Sequence, residues 1–181
     1  TSMDLMEELK QYMEANNFER FQPRELYEPL DYILSLGGKR IRPLLTLMAC
    51  QLYSSNIENA LPAAYAIEVF HNFSLLHDDI MDESPIRRGK ATVHKKYDTN
   101  TAILSGDVML VYAYEYLSRV SNEYLPLVLK TFNEIAIGVC EGQQMDMNFE
   151  SQEEVAQQDY LRMIELKTSV LLYGAMKIGA I

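Results

Sequence analysis

Apolar residues recur at helical spacing along most of the chain, and short polar or glycine-containing stretches separate the resulting segments. From Met3 to Phe18, and again after Pro23, apolar side chains fall three or four residues apart, as on one face of a helix. The Asn16-Asn17 and Gly37-Gly38 pairs are suitable helix ends. The pattern therefore predicts helices over residues 3–18 and 23–36.

The same spacing predicts that the rest of the chain is helical as well. Pro43 favours a helix over residues 44–53. Proline is common at a helix start because the N–H groups of the first turn have no partner within the helix, so the N–H that proline lacks is not missed. Further helical patterns cover residues 60–82, 94–120, 124–147 and 159–181. Residues 83–90 are predicted to form a loop, and Ser151 to Glu154 resembles a capping box.

One stretch is ambiguous, because Tyr112, Tyr114 and Tyr116 alternate as they would in a strand. No neighbouring segment offers a partner strand, so we favour a helix. With every element helical, the predicted fold class is all-α, a helical bundle in a single domain over residues 1–181.

Composition restricts the possible partners. The formal net charge of the 181 residues is −10, which argues against nucleic acid, and the few cations are clustered, which favours small anionic ligands. No apolar run has membrane-spanning length, so no stable membrane insertion is expected. Cys50 and Cys140 lack metal-ligand spacing. We therefore expect a cytoplasmic protein with two buried free thiols.

Carboxylates cluster at the end of the segment over residues 60–82. Asp78 and Asp82 are four residues apart and share one helical face, while Asp79 lies about 100° around the axis. These like charges repel one another at the helix end that disfavours negative charge. Because Mg²⁺ commonly combines carboxylate and phosphate ligands, the cluster predicts a magnesium-diphosphate site. A solvated acidic helix end is the alternative.

Three cations in four residues, Lys39, Arg40 and Arg42, lie between Gly38 and Pro43. A helix that begins here offers free N–H groups and a positive dipole end, to which the cations add charge-assisted hydrogen bonds. We therefore predict a second anion site at this turn, with a solvated basic loop as the alternative.

Taken together, four motifs resemble the trans-isoprenyl diphosphate synthases, in particular the short-chain farnesyl and geranylgeranyl type. In chain order the motifs are Gly37-Gly38-Lys39-Arg40-Ile41-Arg42-Pro43, His71, His77-Asp78-Asp79-Ile80-Met81-Asp82 with Arg87-Arg88-Gly89, and Lys167-Thr168. The match extends from Met3 onward but covers only the N-terminal part of a family member. It implies antiparallel helices around a deep central cavity, usually in a homodimer.

The resemblance also implies a reaction and the residues that carry it. Isopentenyl diphosphate would condense 1′-4 with an allylic prenyl diphosphate, which ionises with the help of Mg²⁺ held by Asp78 and Asp82, with Asp79 nearby. The residues implied to hold isopentenyl diphosphate are Lys39, Arg42, His71 and Arg88. Those implied at the allylic site are Arg87 and Lys167, with Thr168 facing the cation. Gln143 and Asp146, which share a helical face, match the family's Gln-x-x-Asp pair, with Gln143 as a substrate ligand and Asp146 as a metal ligand.

Product length can be predicted from helix geometry within this resemblance. Phe73 and Ser74 precede Asp78 by five and four residues, one turn deeper along the cavity wall, so the growing tail should run toward them. We expect Phe73 to act as a floor, as a bulky aromatic does in short-chain members. The product would then be farnesyl or geranylgeranyl diphosphate.

The chain departs from the family pattern in one respect. No second Asp-rich motif occurs between Ile86 and Ile181, and a predicted helix is still in progress at Ile181. We therefore expect a C-terminally truncated chain that, as given, binds poorly and turns over little. The alternative is a catalytically impaired fragment or a non-catalytic subunit with the same fold.

Two other enzyme classes share single motifs with the chain. Glu68 and His71 form the Glu-x-x-His pair of di-metal carboxylate bundles, but such a site needs two pairs and neither other histidine follows a glutamate at that spacing. A terpene cyclase would share the Asp-rich motif but has no use for an isopentenyl diphosphate site.

Overall fold

The computed structural model describes residues 2–52, 56–169 and 177–181, most of which are helical. The helices are α1 (Ser2–Ala15), α2 (Arg24–Ser35), α3 (Ile41–Gln51), α4 (Leu61–Met81), α5 (Val93–Lys96), α6 (Thr99–Leu117), α7 (Leu125–Glu150) and α8 (Gln157–Ile164). A π-helical turn, Glu165–Ser169, continues α8, and residues 177–180 are helical again. The predicted all-α class is confirmed.

Helix α4 lies at the centre of the bundle. All of its residues from Pro62 to Phe70 are buried, and α1, α2, α3 and α6 pack against it. The main core joins Phe70 to side chains from α2, α6 and α7, including Leu30, Met109 and Phe132. Burial is less complete from His71 onward, and this C-terminal part of α4 carries the polar side chains of the predicted site. The core thus fixes the helix whose end bears the chemistry.

The segment over residues 83–90 differs from the predicted loop. Ile86–Arg87 (β1) and Lys90–Ala91 (β2) pair antiparallel, with Arg87 opposite Lys90. Arg88 and Gly89 between them both have positive φ angles, 51° and 76°, as in a two-residue type I′ hairpin turn. Residues 83–85 are irregular, as predicted, but the two short strands were missed. Such turns favour Asn, Asp or Gly at the first position, and Arg88 gives no such signal.

The boundaries of two predicted helices also need correction. Helix α3 begins at Ile41, so Pro43 lies inside the first turn, where an N–H would have no helical partner. Helix α8 begins at Gln157, so the predicted capping box at Ser151 to Glu154 starts no helix and was wrong.

The weak pattern over residues 94–120 is divided into α5 and α6. The Asp98 carboxylate caps α6 by accepting a hydrogen bond from the Thr101 N–H at 2.8 Å. The three alternating tyrosines lie within α6, as predicted.

Both cysteines are free, as predicted, but the prediction of burial was wrong. Cys50 is only partly buried and Cys140 is exposed. Within the described ranges, no helix is long and apolar enough to cross a membrane.

Candidate active site

All four residues predicted to hold isopentenyl diphosphate line one cavity of about 280 Å³, which we call the cation cavity. The turn between α2 and α3, helix α4 and the β-hairpin each supply part of its wall. The lining residues are Gly37, Gly38, Lys39, Arg40, Ile41, Arg42, Glu68, His71 and Arg88. Residues that are up to 51 positions apart in the sequence therefore meet at one anion-sized site.

His71 and Arg42 form the inner wall of the cation cavity. Arg42 Nη1 lies 3.2 Å from His71 Nε2, and because a guanidinium only donates, Nε2 must accept and the imidazole is neutral. Burial lowers the pKa of His71 to about 3, and the charges of Arg42 and Arg88 act in the same direction. Burial also lowers the pKa of Arg42. The positive charge in this cavity is thus poorly solvated, which favours an anionic ligand.

Arg88 reaches the cation cavity from the hairpin turn. Its Nη1 donates to the Gly37 carbonyl oxygen, which ties the hairpin to the turn before α3. Gly38 has a φ of 130°, and a Cβ there would lie 3.0 Å from Arg88 Nη2. Glycine at position 38 is therefore required both by the backbone conformation and by the approach of the arginine.

The carboxylates of the Asp-rich motif lie at the C-terminal end of α4. Asp78 is partly buried in the last turn, and Asp82, exposed, directly follows the helix. Burial raises the pKa of Asp78 to about 6; Lys167 opposes this shift, while Asp82 and Asp79 add to it. The positive charge near Asp78 does not offset its burial and the neighbouring carboxylates, so a bound divalent cation would stabilise its ionised form.

The donor set fits Mg²⁺ that is also bound by phosphate. No three His, Cys, Asp or Glu side chains in the described ranges converge closely enough to hold a metal ion by themselves. Mg²⁺ commonly takes only one or two carboxylates and completes its shell with substrate phosphates and water. Asp78 and Asp82 could supply such a partial set.

Asp79 has a different environment from its two neighbours. It is buried, and both of its oxygens accept hydrogen bonds from Arg87, from Nε at 2.7 Å and from Nη2 at 2.9 Å. This two-point contact holds the hairpin against the end of α4. Asp79 as a metal ligand and Arg87 as a ligand of the allylic diphosphate both stay predictions. In either role, the residue would bind its ligand alongside the Arg87–Asp79 contact or after that contact breaks.

A second cavity of about 220 Å³ lies between α4 and α7, and we call it the apolar cavity. Phe73 and Asp78 both line it, about 7.5 Å apart along the axis of α4. The Phe73 ring packs 4.8 Å from the His77 ring and 5.7 Å from the Phe70 ring. The other lining residues are Ser74, His77, Met81, Val139, Cys140, Gln143, Gln144 and Met147. The carboxylate and the predicted floor therefore belong to the same cavity.

Gln143 contributes an unusual polar group to the apolar cavity. Its side chain is buried, and neither the amide oxygen nor the amide nitrogen has a hydrogen-bond partner among the described residues. Buried polar atoms are normally paired, so these two atoms are suited to contact a bound ligand.

Lys167 pairs with Asp146 of α7. Its Nζ donates to Asp146 Oδ2 at 2.8 Å, and it belongs to the π-helical turn, a conformation that is frequent at functional sites. A Cβ on Gly142 would lie 2.8 Å from the Lys167 backbone nitrogen, so the glycine lets this turn lie directly on α7. The side chain of Thr168, also predicted here, lies outside the described residues.

Several residues of the site were not predicted from the sequence. Glu68 is paired with Arg40 in the wall of the cation cavity, so the structure gives no support to the di-metal alternative that used Glu68 as a ligand. The helical spacing of Glu68 and His71 was a usable signal for their shared cavity. Nothing in the local sequence indicated that Cys140 and Met147 would face Phe73 from α7.

Comparisons with known proteins show which family the chain resembles. Residues 23–181 match the family model described as polyprenyl synthetase. A geranylgeranyl diphosphate synthase from Methanosarcina mazei is 44% identical over 162 residues, covering 88% of this chain and 50% of that protein. A short chain isoprenyl diphosphate synthase from Methanocaldococcus jannaschii is 44% identical over 176 residues, covering 97% of this chain and 51% of that protein.

The solved structures include a similar fold at high identity. A geranylgeranyl pyrophosphate synthase crystal structure superposes with a TM-score of 0.94 at 48% identity, covering 99% of this chain and 55% of that one. The chain thus spans about half the length of the curated relatives that it matches.

Proposed function

The chain belongs to the polyprenyl synthetase family, and from this premise we propose that the protein condenses isopentenyl diphosphate with an allylic prenyl diphosphate. The allylic substrate would be dimethylallyl, geranyl or farnesyl diphosphate, and the product a short-chain all-trans prenyl diphosphate. The names of the relatives, which include geranylgeranyl and short-chain isoprenyl diphosphate synthases, support this choice.

The proposal depends mainly on the placement of two unlike cavities along one helix. His71 lines the cation cavity, and Asp78, seven residues later, lines the apolar cavity. Seven residues of α-helix rise about 10 Å, so the two cavities adjoin the same two turns of α4. One cavity suits a small diphosphate and the other suits an apolar tail with a diphosphate at its carboxylate end. A condensing enzyme needs both in this proximity.

In the cation cavity, Lys39, Arg42 and Arg88 would hold the diphosphate of isopentenyl diphosphate. Charge-assisted hydrogen bonds to phosphate are strengthened where burial reduces competition from water, as it does at Arg42. The neutral His71 ring would orient Arg42 through their hydrogen bond. The cation cavity would thus bind isopentenyl diphosphate, the substrate whose diphosphate stays attached during the reaction.

At the end of α4, Asp78 and Asp82 would hold Mg²⁺, with Asp79 and Asp146 as further candidate ligands. When bound, Mg²⁺ supplies positive charge that stabilises the departing diphosphate. Lys167 and Arg87 would add charge-assisted hydrogen bonds to the same diphosphate. These residues would therefore favour breakage of the allylic carbon–oxygen bond, with the electron pair leaving on diphosphate.

The apolar cavity would hold the prenyl tail away from water. Phe73, Val139 and Met147 would give the tail mainly apolar contacts. The double bond of isopentenyl diphosphate would attack the allylic cation, and the departing diphosphate would accept the proton that is then lost. Gln143 would contact the reacting end, with Thr168 also facing the cation. Phe73 would limit tail growth, which supports a farnesyl or geranylgeranyl product.

We propose that the protein acts as a homodimer through an exposed face of α6. Ile103, Leu104 and Val111 are 41%, 58% and 64% exposed, and such apolar patches commonly mark interfaces. A Val111→Glu variant should run as a monomer in sedimentation experiments, whereas an Arg20→Glu control should not. An unchanged mass of the Val111 variant would exclude this face.

The expected cytoplasmic location also remains a proposal. Both thiols are free, which is compatible with a reducing compartment.

The activity can be tested by incubating the complete gene product with Mg²⁺, isopentenyl diphosphate and allylic primers of increasing length, and identifying products by mass. We expect extension of at least one primer by five-carbon units. Absence of condensation with every primer would contradict the proposed function.

The alternative is a catalytically impaired fragment or non-catalytic subunit with the same fold. Residues 86–181 contain no second Asp-rich motif. Running the same assay on residues 1–181 alone and on the complete gene product separates the two possibilities.

A further inference from the structure

Arg40 is the one cation of the 39–42 turn to which the proposed function gives no role. Its Nη1 donates to Glu68 Oε1, and its Nη2 donates to the Leu34 carbonyl oxygen. Leu34 lies near the end of α2, Glu68 lies on α4, and Arg40 itself immediately precedes α3. A single side chain therefore connects three helices at the turn that carries Lys39 and Arg42.

Glu68, the partner of Arg40, is itself held in place. It is 4% exposed, and its Oε1 also accepts a hydrogen bond from Asn72 Nδ2 at 3.0 Å. Asn72 is 1% exposed and also donates to the Glu68 carbonyl oxygen at 2.9 Å. Because a buried carboxylate is unstable without compensating partners, loss of the contact with Arg40 or with Asn72 would cost free energy. It is thus a fixed anchor for Arg40 and not a mobile surface acid.

The backbone at Arg40 adds a second observation. Arg40 has a φ of 53°, a left-handed conformation that is costly for a residue other than glycine and persists only where its surroundings enforce it. This conformation sets the direction in which α3 begins, and Arg42 lies in the first turn. The position of Arg42 against His71 therefore depends on the conformation of Arg40.

The charges of the cation cavity are divided unequally. Among the described residues that line it, Glu68 is the only carboxylate, and it is paired with Arg40. Lys39, Arg42 and Arg88 have no carboxylate partner within ion-pair distance in the described part of the chain. The Arg40–Glu68 pair thus leaves three cations available to an anion.

We propose that Arg40 is a positioning residue for the diphosphate of isopentenyl diphosphate. Through Glu68 it fixes the turn that orients Lys39 and Arg42, and it does not contact the substrate. This inference rests on the proposed function of the cation cavity.

The test uses inorganic pyrophosphate as the probe and isothermal titration calorimetry as the measurement. Arg40→Gln should bind pyrophosphate about tenfold more weakly than the wild type, within the range of coupling inside one hydrogen-bond network. Arg20→Gln is the control, since it removes the same charge from an exposed position outside the cavity. Equal affinities of the Arg40→Gln and Arg20→Gln variants would overturn the inference.

Two further variants separate positioning from direct charge. Arg40→Lys keeps the charge but cannot donate to both Glu68 and Leu34 from a rigid fork, so it should bind pyrophosphate about as weakly as Arg40→Gln. If instead it binds as tightly as the wild type, Arg40 acts by its charge and the proposal is wrong. The double variant Arg40→Gln/Glu68→Gln leaves no unpaired buried charge and should bind no more weakly than Arg40→Gln alone.

Initial rates with the complete gene product provide the corresponding kinetic readout. Arg40→Gln should raise KM for isopentenyl diphosphate with little change in kcat, since ground-state binding is affected and the reacting atoms are not. A lowered kcat at unchanged KM would contradict positioning. Failure of the wild type to bind pyrophosphate would refute the cation cavity and hence the proposed function, which is a different result from an unaffected Arg40 variant.

Discussion

Replacement of His71 by glutamine should remove a large part of the acid sensitivity of this protein between pH 7 and pH 5. In the folded state, burial and the nearby Arg42 and Arg88 lower the pKa of His71 to about 3 from its ordinary value of 6.5. The unfolded chain therefore binds a proton at His71 more readily than the folded chain does. The neutral imidazole contributes its full stability above pH 6.5, and this contribution is lost as pH falls from 6.5 toward 3.

The size of the effect follows from these two pKa values. With an ordinary pKa of 6.5 and a folded pKa of about 3, lowering the pH from 7 to 5 reduces the free energy of unfolding by about 2 kcal/mol through this residue. Glutamine at position 71 has no such proton to bind. It can still accept a hydrogen bond from Arg42 through its amide oxygen.

Urea unfolding of the wild type and of His71→Gln at pH 7, 6 and 5 measures the difference. Comparing the two proteins cancels the contributions of other titrating groups, such as Asp78. A His94→Gln variant, which changes a histidine outside the cation cavity, serves as the control. Parallel losses of stability in the wild type and in His71→Gln between pH 7 and pH 5 would refute the assignment of a neutral, strongly desolvated His71.

Three other substitutions give distinct results. Phe73→Ala should lengthen the prenyl product by at least one five-carbon unit because it removes the floor of the apolar cavity, and an unchanged product mass would exclude that role. Gly142→Ala should lower the free energy of unfolding by about 1–3 kcal/mol in urea, because the added methyl group overpacks the contact with Lys167, and it should raise KM for the allylic substrate. A gain in stability, as alanine gives at an open helical position, would contradict this contact. Asp79→Asn should cost about 1.5–3 kcal/mol of stability without Mg²⁺ present, since the buried Asp79 loses its charge-assisted hydrogen bonds to the partly exposed Arg87. A loss of stability seen only with Mg²⁺ would instead identify Asp79 as a metal ligand.

Much of the helical architecture could be predicted because its signals are local. Apolar spacing and helix-ending pairs such as Gly37-Gly38 place α1, α2, α4 and α7 to within a few residues. The Asp78 and Asp82 pair was placed on one helix face by spacing alone. These features depend on residues within one or two turns of each other.

The errors came from turns and from polar residues that look like caps. The hairpin at residues 86–91 depends on positive φ angles at Arg88 and Gly89, and Arg88 is an unfavourable residue for that conformation. In this conformation Arg88 contacts Gly37, which is 51 residues away, so the sequence around Arg88 could not predict the contact. Ser151 and Glu154 had the spacing of a capping box, but no helix follows them directly.

The composition of the site was harder to predict than its location. The sequence placed Lys39, Arg40 and Arg42 together as one basic group, but the fold separates Arg40, which pairs with the buried Glu68, from the other two. Likewise, Asp79 is adjacent to Asp78 in sequence but turns toward Arg87. Which cation or carboxylate is already paired depends on tertiary contacts, and it decides which of them remain available for a ligand.

The central claim is that two adjoining cavities on α4 bind the two substrates, and initial-rate kinetics of two variants test it most directly. The condensation rate of the complete gene product should be measured against isopentenyl diphosphate concentration for the wild type, Arg42→Gln in the cation cavity and Asp78→Asn in the apolar cavity. We expect Arg42→Gln to raise KM for isopentenyl diphosphate at least tenfold, because it loses a charge-assisted contact, and Asp78→Asn to lower kcat with little change in that KM. If both variants changed the same kinetic parameter to the same extent, the assignment of separate binding roles to the two cavities would be contradicted.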